Sequence, residues 1–308
     1  MKKKRTAVVG AGWFGRAHIR NFHELSKLVG ICDVNKAKLE VFRNNHQYDD
    51  VNIYTDVDDL IKNEELDAVS VVTPPKNIPE ISKKFADAGI DILMEKPMAL
   101  NIQDLKKFKE YENSIRVMPG FIERYNPVFE KLLKHLPEIG EIISITSKRV
   151  GLYPRRDWQM GVILDLSIHD IYLQERVMGS NKILNAVGFK KCFKDNIHAD
   201  AAFIILDFGK AIGNIESNWL TPSKFRRMYV NGELGGIMID FISQKVNIRT
   251  GMDLQGEWPE TKEILYSPLR SDEPLRREIN NFLYDAETLV NLDDGIRALE
   301  IALKIVNN

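Results

Sequence analysis

The sequence predicts an α/β protein: a parallel sheet covered by helices on both faces, followed by an α/β domain with a large, mostly antiparallel open sheet. Three observations predict it. An apolar run, Ala7-Val8-Val9, leads through glycines 10, 12 and 15 into a segment with helical spacing. Short β-branched runs then alternate with helical stretches as far as residue 121, the order of a parallel sheet. From residue 183, strand-like runs follow one another with few helices between them, as in an antiparallel sheet. Two domains are therefore expected, 1–121 and 122–308, joined without a Gly/Ser tract. The 308 residues are 44% hydrophobic and 28% charged, which suits a globular chain.

The elements justify this in order. Met1-Lys-Lys-Lys-Arg5 is basic, but the apolar run after it breaks at the glycines and reaches Arg16 and His18, so it reads as the first strand and not as a leader. Residues 14–25 read as a helix and 28–33 as the second strand. Helices are expected at 36–44, 56–63, 78–88 and 105–111, and strands at 68–73, 91–94 and 115–121. Thr73-Pro74-Pro75 ends one strand as a loop, and Gly89 closes a helix. In the second half, 127–136 and 162–178 read as helices, the latter long and amphipathic. Strands are expected at 142–150, 183–193, 201–208, 212–220, 228–230 and 237–242, with a hairpin turn at Gly209-Lys210. Helical spacing returns at 275–289 and 294–306, and helices at about 273–308 are expected to pack back on the first domain. Ile212, Ile215, Trp219 and Val230 are more apolar than a solvated sheet face needs, so a homodimer or homotetramer through the open sheet is expected.

The glycines form Gly-x-Gly-x-x-Gly between strand and helix, the turn of a Rossmann dinucleotide site. Gly10 permits the turn, Gly12 lets the backbone approach a pyrophosphate, and Gly15 lets the helix lie close to the strand. Trp13 and Phe14 lie within the same turn. Asp33 follows about twenty residues later at a strand end, where a carboxylate accepts from both ribose hydroxyls. It also repels a 2′-phosphate, and Val34 and Asn35 supply no arginine, so NAD is favoured over NADP. Asp33 also suits an N-cap for the next helix. Thr73, Pro74, Glu95 and Lys96 fall at other strand ends of the same sheet edge, where ligands bind.

Three places offer reactive groups. Lys96, fixed before Pro97, has a defined direction and suits a hydroxyl and a ribose together. Asp165 and His169 lie four apart on one helix face among apolar neighbours; a buried Asp and His need a polar purpose, and such an imidazole suits general base work as well as core packing. The stretch from Arg149 through Tyr153, Arg155 and Arg156 to Trp158 is a basic loop that suits phosphate or solvent. Arg124, Asn126 and Trp219 add polar and aromatic groups for the same cleft.

In this order, the glycine turn, Asp33, Glu95-Lys96-Pro97 and Asp165-x-x-x-His169 resemble the glucose–fructose oxidoreductase / inositol dehydrogenase / MocA family over essentially the whole chain. The resemblance implies NAD(P)-dependent oxidation of a sugar or cyclitol hydroxyl, with Lys96, Asp165 and His169 in the catalytic positions. Gly120-Phe-Ile-Glu-Arg124-Tyr-Asn126-Pro, Arg149-Val-Gly-Leu-Tyr153-Pro and Asn218-Trp-Leu-Thr-Pro222 are similar to the nucleotide-sugar branch, which implies a UDP-N-acetyl sugar oxidised at C3. There Arg124, Asn126, Tyr153, Arg155, Arg156, Asp165, His169 and Trp219 are the expected substrate contacts. Two departures stand out: Ile78 replaces a histidine that many members carry, and Ser167 replaces a glycine. The alternatives are a dehydrogenase of a free sugar or inositol, a lyase or epimerase using transient oxidation, and a non-catalytic NAD-binding regulator.

A net charge of −1 provides no field toward nucleic acid or anionic lipid. No stretch has the apolar length of a membrane span, and the expected location is the cytoplasm. Cys32 and Cys192 lack metal-ligand spacing and read as buried, reduced thiols, so no metal is expected.

Overall fold

The structure, a computed structural model, describes residues 3–154, 160–180, 182–194, 197–251, 262–267 and 273–307. The chain divides into two compact units. One comprises Met1–Ile122 with Leu275–Ile296, the other Glu123–Pro274 with Arg297–Asn308.

In the first unit, β1 (Arg5–Val9) leads into α1 (Trp13–Leu25), then β2 (Lys27–Cys32) and α2 (Lys36–Arg43). β3 (Asn52–Tyr54), α3 (Val57–Asn63), β4 (Ala68–Val71) and α4 (Ile78–Asp87) follow. β5 (Asp91–Glu95), α5 (Ile102–Lys106) and β6 (Val117–Gly120) complete the first stretch. The strands pair in parallel in the order β3-β2-β1-β4-β5-β6, the doubly wound order that reverses direction between β1 and β4. The central strands are largely apolar because helices cover both faces: Val8, Ile31, Val69, Val71 and Ile92 are fully buried. Side-chain caps start α2, α3 and α5, as where Asp56 accepts from the Asp58 and Asp59 N–H groups.

In the second unit, α6 (Pro127–His135) precedes β7 (Ile142–Val150). A π-turn at Ile163–Ser167 runs into α7 (Ile168–Met178). Then come β8 (Asn185–Lys191), β9 (Ala201–Asp207), β10 (Ile212–Asn218), β11 (Phe225–Gly232), β12 (Gly235–Asp240), β13 (Lys245–Thr250) and β14 (Lys262–Tyr266). The sheet runs β14-β13-β12-β11-β7-β10-β9-β8. Every pair is antiparallel except β10 with β7. Gly209 turns β9 into β10 at φ +77°, the expected hairpin. Two helices end the chain, α8 (Pro274–Tyr284) and α9 (Leu292–Asn307). In the first unit, α8 is tied to α1 by the Tyr284 hydroxyl, which donates to the Leu25 carbonyl at 2.6 Å. An Arg276–Glu24 ion pair adds to this, and Arg116 donates to the Phe282 carbonyl at 2.5 Å.

The structure corrects four expectations. The segment 162–178 is not one amphipathic helix: it opens as a π-turn, and α7 is buried on all sides except at Arg176. Gln174 reaches from it to the Ser147 hydroxyl at 2.9 Å and the Asn214 carbonyl at 3.1 Å. Ile215, Trp219 and Val230 belong to the covered side of the sheet and are buried. Ile212 is exposed as expected, and Val187, Phe189, Phe203 and Ile205 are exposed with it. Cys192 is exposed, whereas Cys32 is buried. Asn35, not Asp33, caps α2, accepting from the Ala37 N–H.

Candidate active site

In the first unit, candidate cofactor-binding residues lie at the carboxyl ends of β1, β2, β4 and β5. Gly10 adopts φ +104°, and a Cβ there would lie 2.3 Å from the Val72 carbonyl oxygen. Its N–H donates to the Cys32 carbonyl at 2.7 Å, closing the turn. A Cβ on Gly15 would lie 1.8 Å from the Gly10 carbonyl oxygen, so only glycine lets α1 start this close to β1. Gly12 differs: a Cβ there would meet nothing within 4 Å. Its absence is not required by the chain's own packing and suits close approach by a ligand at the N-terminus of α1. Trp13 is 80% exposed beside this turn and stacks on Phe14.

Asp33 is buried at the end of β2. Its Oδ2 accepts from the Ala11 N–H at 2.8 Å and lies 3.3 Å from the Lys38 ammonium; its Oδ1 accepts from the Asn35 N–H at 2.8 Å. After β4, Pro74 accepts from the Asn77 N–H in a tight turn, and the Thr73 hydroxyl is buried without a partner among the described residues. Ile78 is fully packed in the core. The orphaned hydroxyl, the open face of Gly12 and the Asp33 carboxylate together fit a dinucleotide.

Glu95 and Lys96 end β5, and the Lys96–Pro97 peptide is cis. The Glu95 side chain turns inward. Its Oε1 is 3.2 Å from His18 Nε2, and His18 Nδ1 is 2.9 Å from the Ser70 hydroxyl. Glu278 of α8 is also fully buried, and neither of its carboxyl oxygens has a partner among the described residues. Burial, with the charge of Glu95 added, pushes its carboxyl well above the usual range. This cluster escaped sequence reasoning because its members are 260 residues apart from end to end (278 − 18).

In the second unit, Asp165 falls in the π-turn and His169 in the first turn of α7, and both are buried. Next to His169, Asp170 receives a bidentate contact from Arg149 of β7, Nε to Oδ2 at 2.7 Å and Nη2 to Oδ1 at 3.1 Å. Arg149 Nη1 also donates to Glu123 at 2.7 Å, and Arg226 of β11 reaches the same oxygen at 3.1 Å. Burial opposes charge on Glu123, but Arg149 and Arg226 outweigh it and hold the carboxyl below the usual range. Burial likewise opposes charge on Arg149, yet Asp170 and Glu123 hold its guanidinium above its usual value. Arg149 is therefore committed to two carboxylates and is not a phosphate ligand, as its place in a basic stretch had suggested.

Arg124 is buried over the Phe129 ring, 5.7 Å from its centroid, and its Nε and Nη1 have no partner among the described residues. Asn126 caps α6 and donates to Glu123 and to the Phe241 carbonyl, so its amide is already engaged. Tyr153 and Trp219 meet edge to face at 5.7 Å, with the Lys194 ammonium 5.0 Å over the tyrosine. Arg155 and Arg156 lie outside the described residues. Among those described, no group of His, Cys, Asp and Glu is placed to hold a metal ion, and no helix is long and apolar enough to cross a membrane.

A doubly wound sheet with this glycine turn and a buried carboxylate at the end of its second strand, carried on one chain with an open antiparallel sheet, defines a two-unit NAD-binding oxidoreductase. The chain belongs to the GFO/IDH/MocA family. Residues 4–121 match the family's NAD-binding Rossmann-fold model and residues 137–238 its C-terminal domain model. It is 26% identical over 247 residues to UDP-N-acetylglucosamine 3-dehydrogenase of Acidithiobacillus ferrooxidans, covering 79% of this chain and 76% of that protein. It is 24% identical over 320 residues to inositol 2-dehydrogenase of Rhizobium meliloti, covering 97% and 94%. The solved structure of the Acidithiobacillus enzyme superposes with a TM-score of 0.85 at 23% identity, covering 99% of this chain and 97% of that one.

Proposed function

We propose that this chain oxidises a secondary hydroxyl of a nucleotide sugar, with C3 of a UDP-N-acetyl sugar as the expected position. The observation that carries this reading is Arg124. A guanidinium buried with two nitrogens unpaired is costly unless an anion binds it, and a nucleotide sugar carries two phosphates whereas inositol carries no charge. The nucleotide-sugar relative supports the same choice. The full-length match to an inositol dehydrogenase favours the second reading, a free polyol substrate.

The bound nicotinamide supplies the hydride acceptor. His169 is the base that takes the hydroxyl proton as the carbinol C–H bond breaks. Lys96 donates to the hydroxyl oxygen and stabilises the negative charge that grows on it. Asp165 orients the imidazole or a neighbouring hydroxyl. Gly12, Trp13, Phe14, Asp33, Thr73 and Pro74 hold the cofactor. Tyr153 and Trp219 supply the aromatic contacts to the sugar nucleotide. A second copy of the chain covers the apolar strip on β8, β9 and β10. The experiment follows absorbance of the reduced nicotinamide with UDP-N-acetylglucosamine, free N-acetylglucosamine and inositol. Turnover confined to the nucleotide sugar supports the proposal, and turnover confined to inositol overturns it. Arg124→Met should lower kcat/KM for the nucleotide sugar by roughly 10- to 100-fold.

A further inference from the structure

The turn after β2 contains a cation that the sequence pattern hides. No basic residue directly follows Asp33, but Lys38, in the first turn of α2, folds back so that its ammonium lies 3.3 Å from Asp33 Oδ2. The side chain remains 45% exposed on its flexible stem. Asp33 is thus nearly saturated. The Ala11 and Asn35 N–H groups and Lys38 take three acceptor positions, and a carboxylate offers about four. A ribose diol that donates twice needs two. Since the backbone donors are fixed by the turns on either side, Lys38 is the partner that must yield. It can yield at little cost, because its ammonium sits on a half-exposed, flexible stem and is rehydrated when it leaves the carboxylate.

The consequence is asymmetric between the two nicotinamide cofactors. With NAD, Lys38 competes with a ribose hydroxyl for Asp33. With NADP, Asp33 repels the 2′-phosphate, and the displaced ammonium is the nearby group that offsets that repulsion. We propose that Lys38 is a receptor for the 2′-phosphate, that the chain therefore binds NADP as well as NAD, and that this one residue sets the ratio. The inference concerns cofactor choice alone and is independent of which hydroxyl compound is oxidised.

The test is equilibrium binding of NAD and NADP to the full chain by calorimetry, without a second substrate. Wild type should bind both. Lys38→Ala should weaken NADP by about tenfold, the worth of one charge-assisted contact, while NAD holds steady or tightens by up to roughly threefold. Lys38→Arg should retain NADP binding. The NADP affinity of wild type should fall with added salt more steeply than that of NAD, and Lys38→Ala should remove the difference. Because Lys38 is half exposed, neither variant threatens the fold. NADP affinity unchanged in Lys38→Ala, or wild type that binds NAD but no NADP, overturns the proposal.

Discussion

Gly15 shows how little freedom single positions have at this site. A methyl group there would fall 1.8 Å from the Gly10 carbonyl oxygen, a backbone atom that cannot move without opening the turn. Gly15→Ala should therefore weaken NAD binding by at least tenfold and lower stability by about 1–3 kcal/mol, as overpacking does; calorimetry and thermal unfolding read the two effects. Gly12→Ala should differ, because open space receives its methyl. Its stability should hold while cofactor affinity falls, and unchanged affinity would show that nothing approaches that face. His169→Asn and Lys96→Met should each lower kcat by about 10²-fold or more if they move or hold the hydroxyl proton. NAD binding measured alongside would separate lost chemistry from a lost cofactor.

At the scale of elements, α8 brings Glu278 into the first unit's core, where its carboxyl is held well above the ordinary value of 4.5 by burial and by Glu95. The folded state then retains a proton that the unfolded state releases near pH 4.5. Stability must fall as pH rises above that value until the folded group itself ionises. Glu278→Gln keeps the shape and removes the proton equilibrium. Its thermal stability relative to wild type should rise between pH 5 and pH 8, by at most roughly 1.4 kcal/mol per pH unit. An advantage independent of pH would sink the assignment. Beneath α7, Arg149 joins Asp170 to Glu123, so Arg149→Met leaves two buried carboxylates without their shared cation. A loss of about 3–5 kcal/mol is expected in denaturant unfolding.

Over the whole molecule, the parallel sheet was legible because its central strands are largely apolar runs and its turn is written in glycines at fixed spacing. β7 was legible to the residue for a similar reason: it alternates cleanly between Ile142 and Val150. β3 was not, since three residues at a sheet edge, one of them the exposed Asn52, make no periodic signal. β13 and β14 escaped for the same reason, with polar residues along their open faces. Of the site, Asp33, Lys96, Asp165 and His169 stood out by position. Lys38, Glu278 and the commitment of Arg149 did not, because pairing between distant side chains leaves no local pattern. The exposed apolar strip could be placed only once register was known: Phe189 sits opposite Phe203, and Val187 opposite Ile205. If a second copy covers it, Phe203→Lys should shift the mass measured by light scattering toward the monomer. The two cysteines provide another way to observe that face. Cys32 lies in the core with its thiol pushed up to about 12, chiefly by burial and then by Asp33, and should resist alkylation in the native state. Cys192 is exposed one residue beyond the end of β8. A maleimide dye should therefore attach at a single known point, at the border of the strip, without any cysteine being engineered, and its emission would follow assembly in real time.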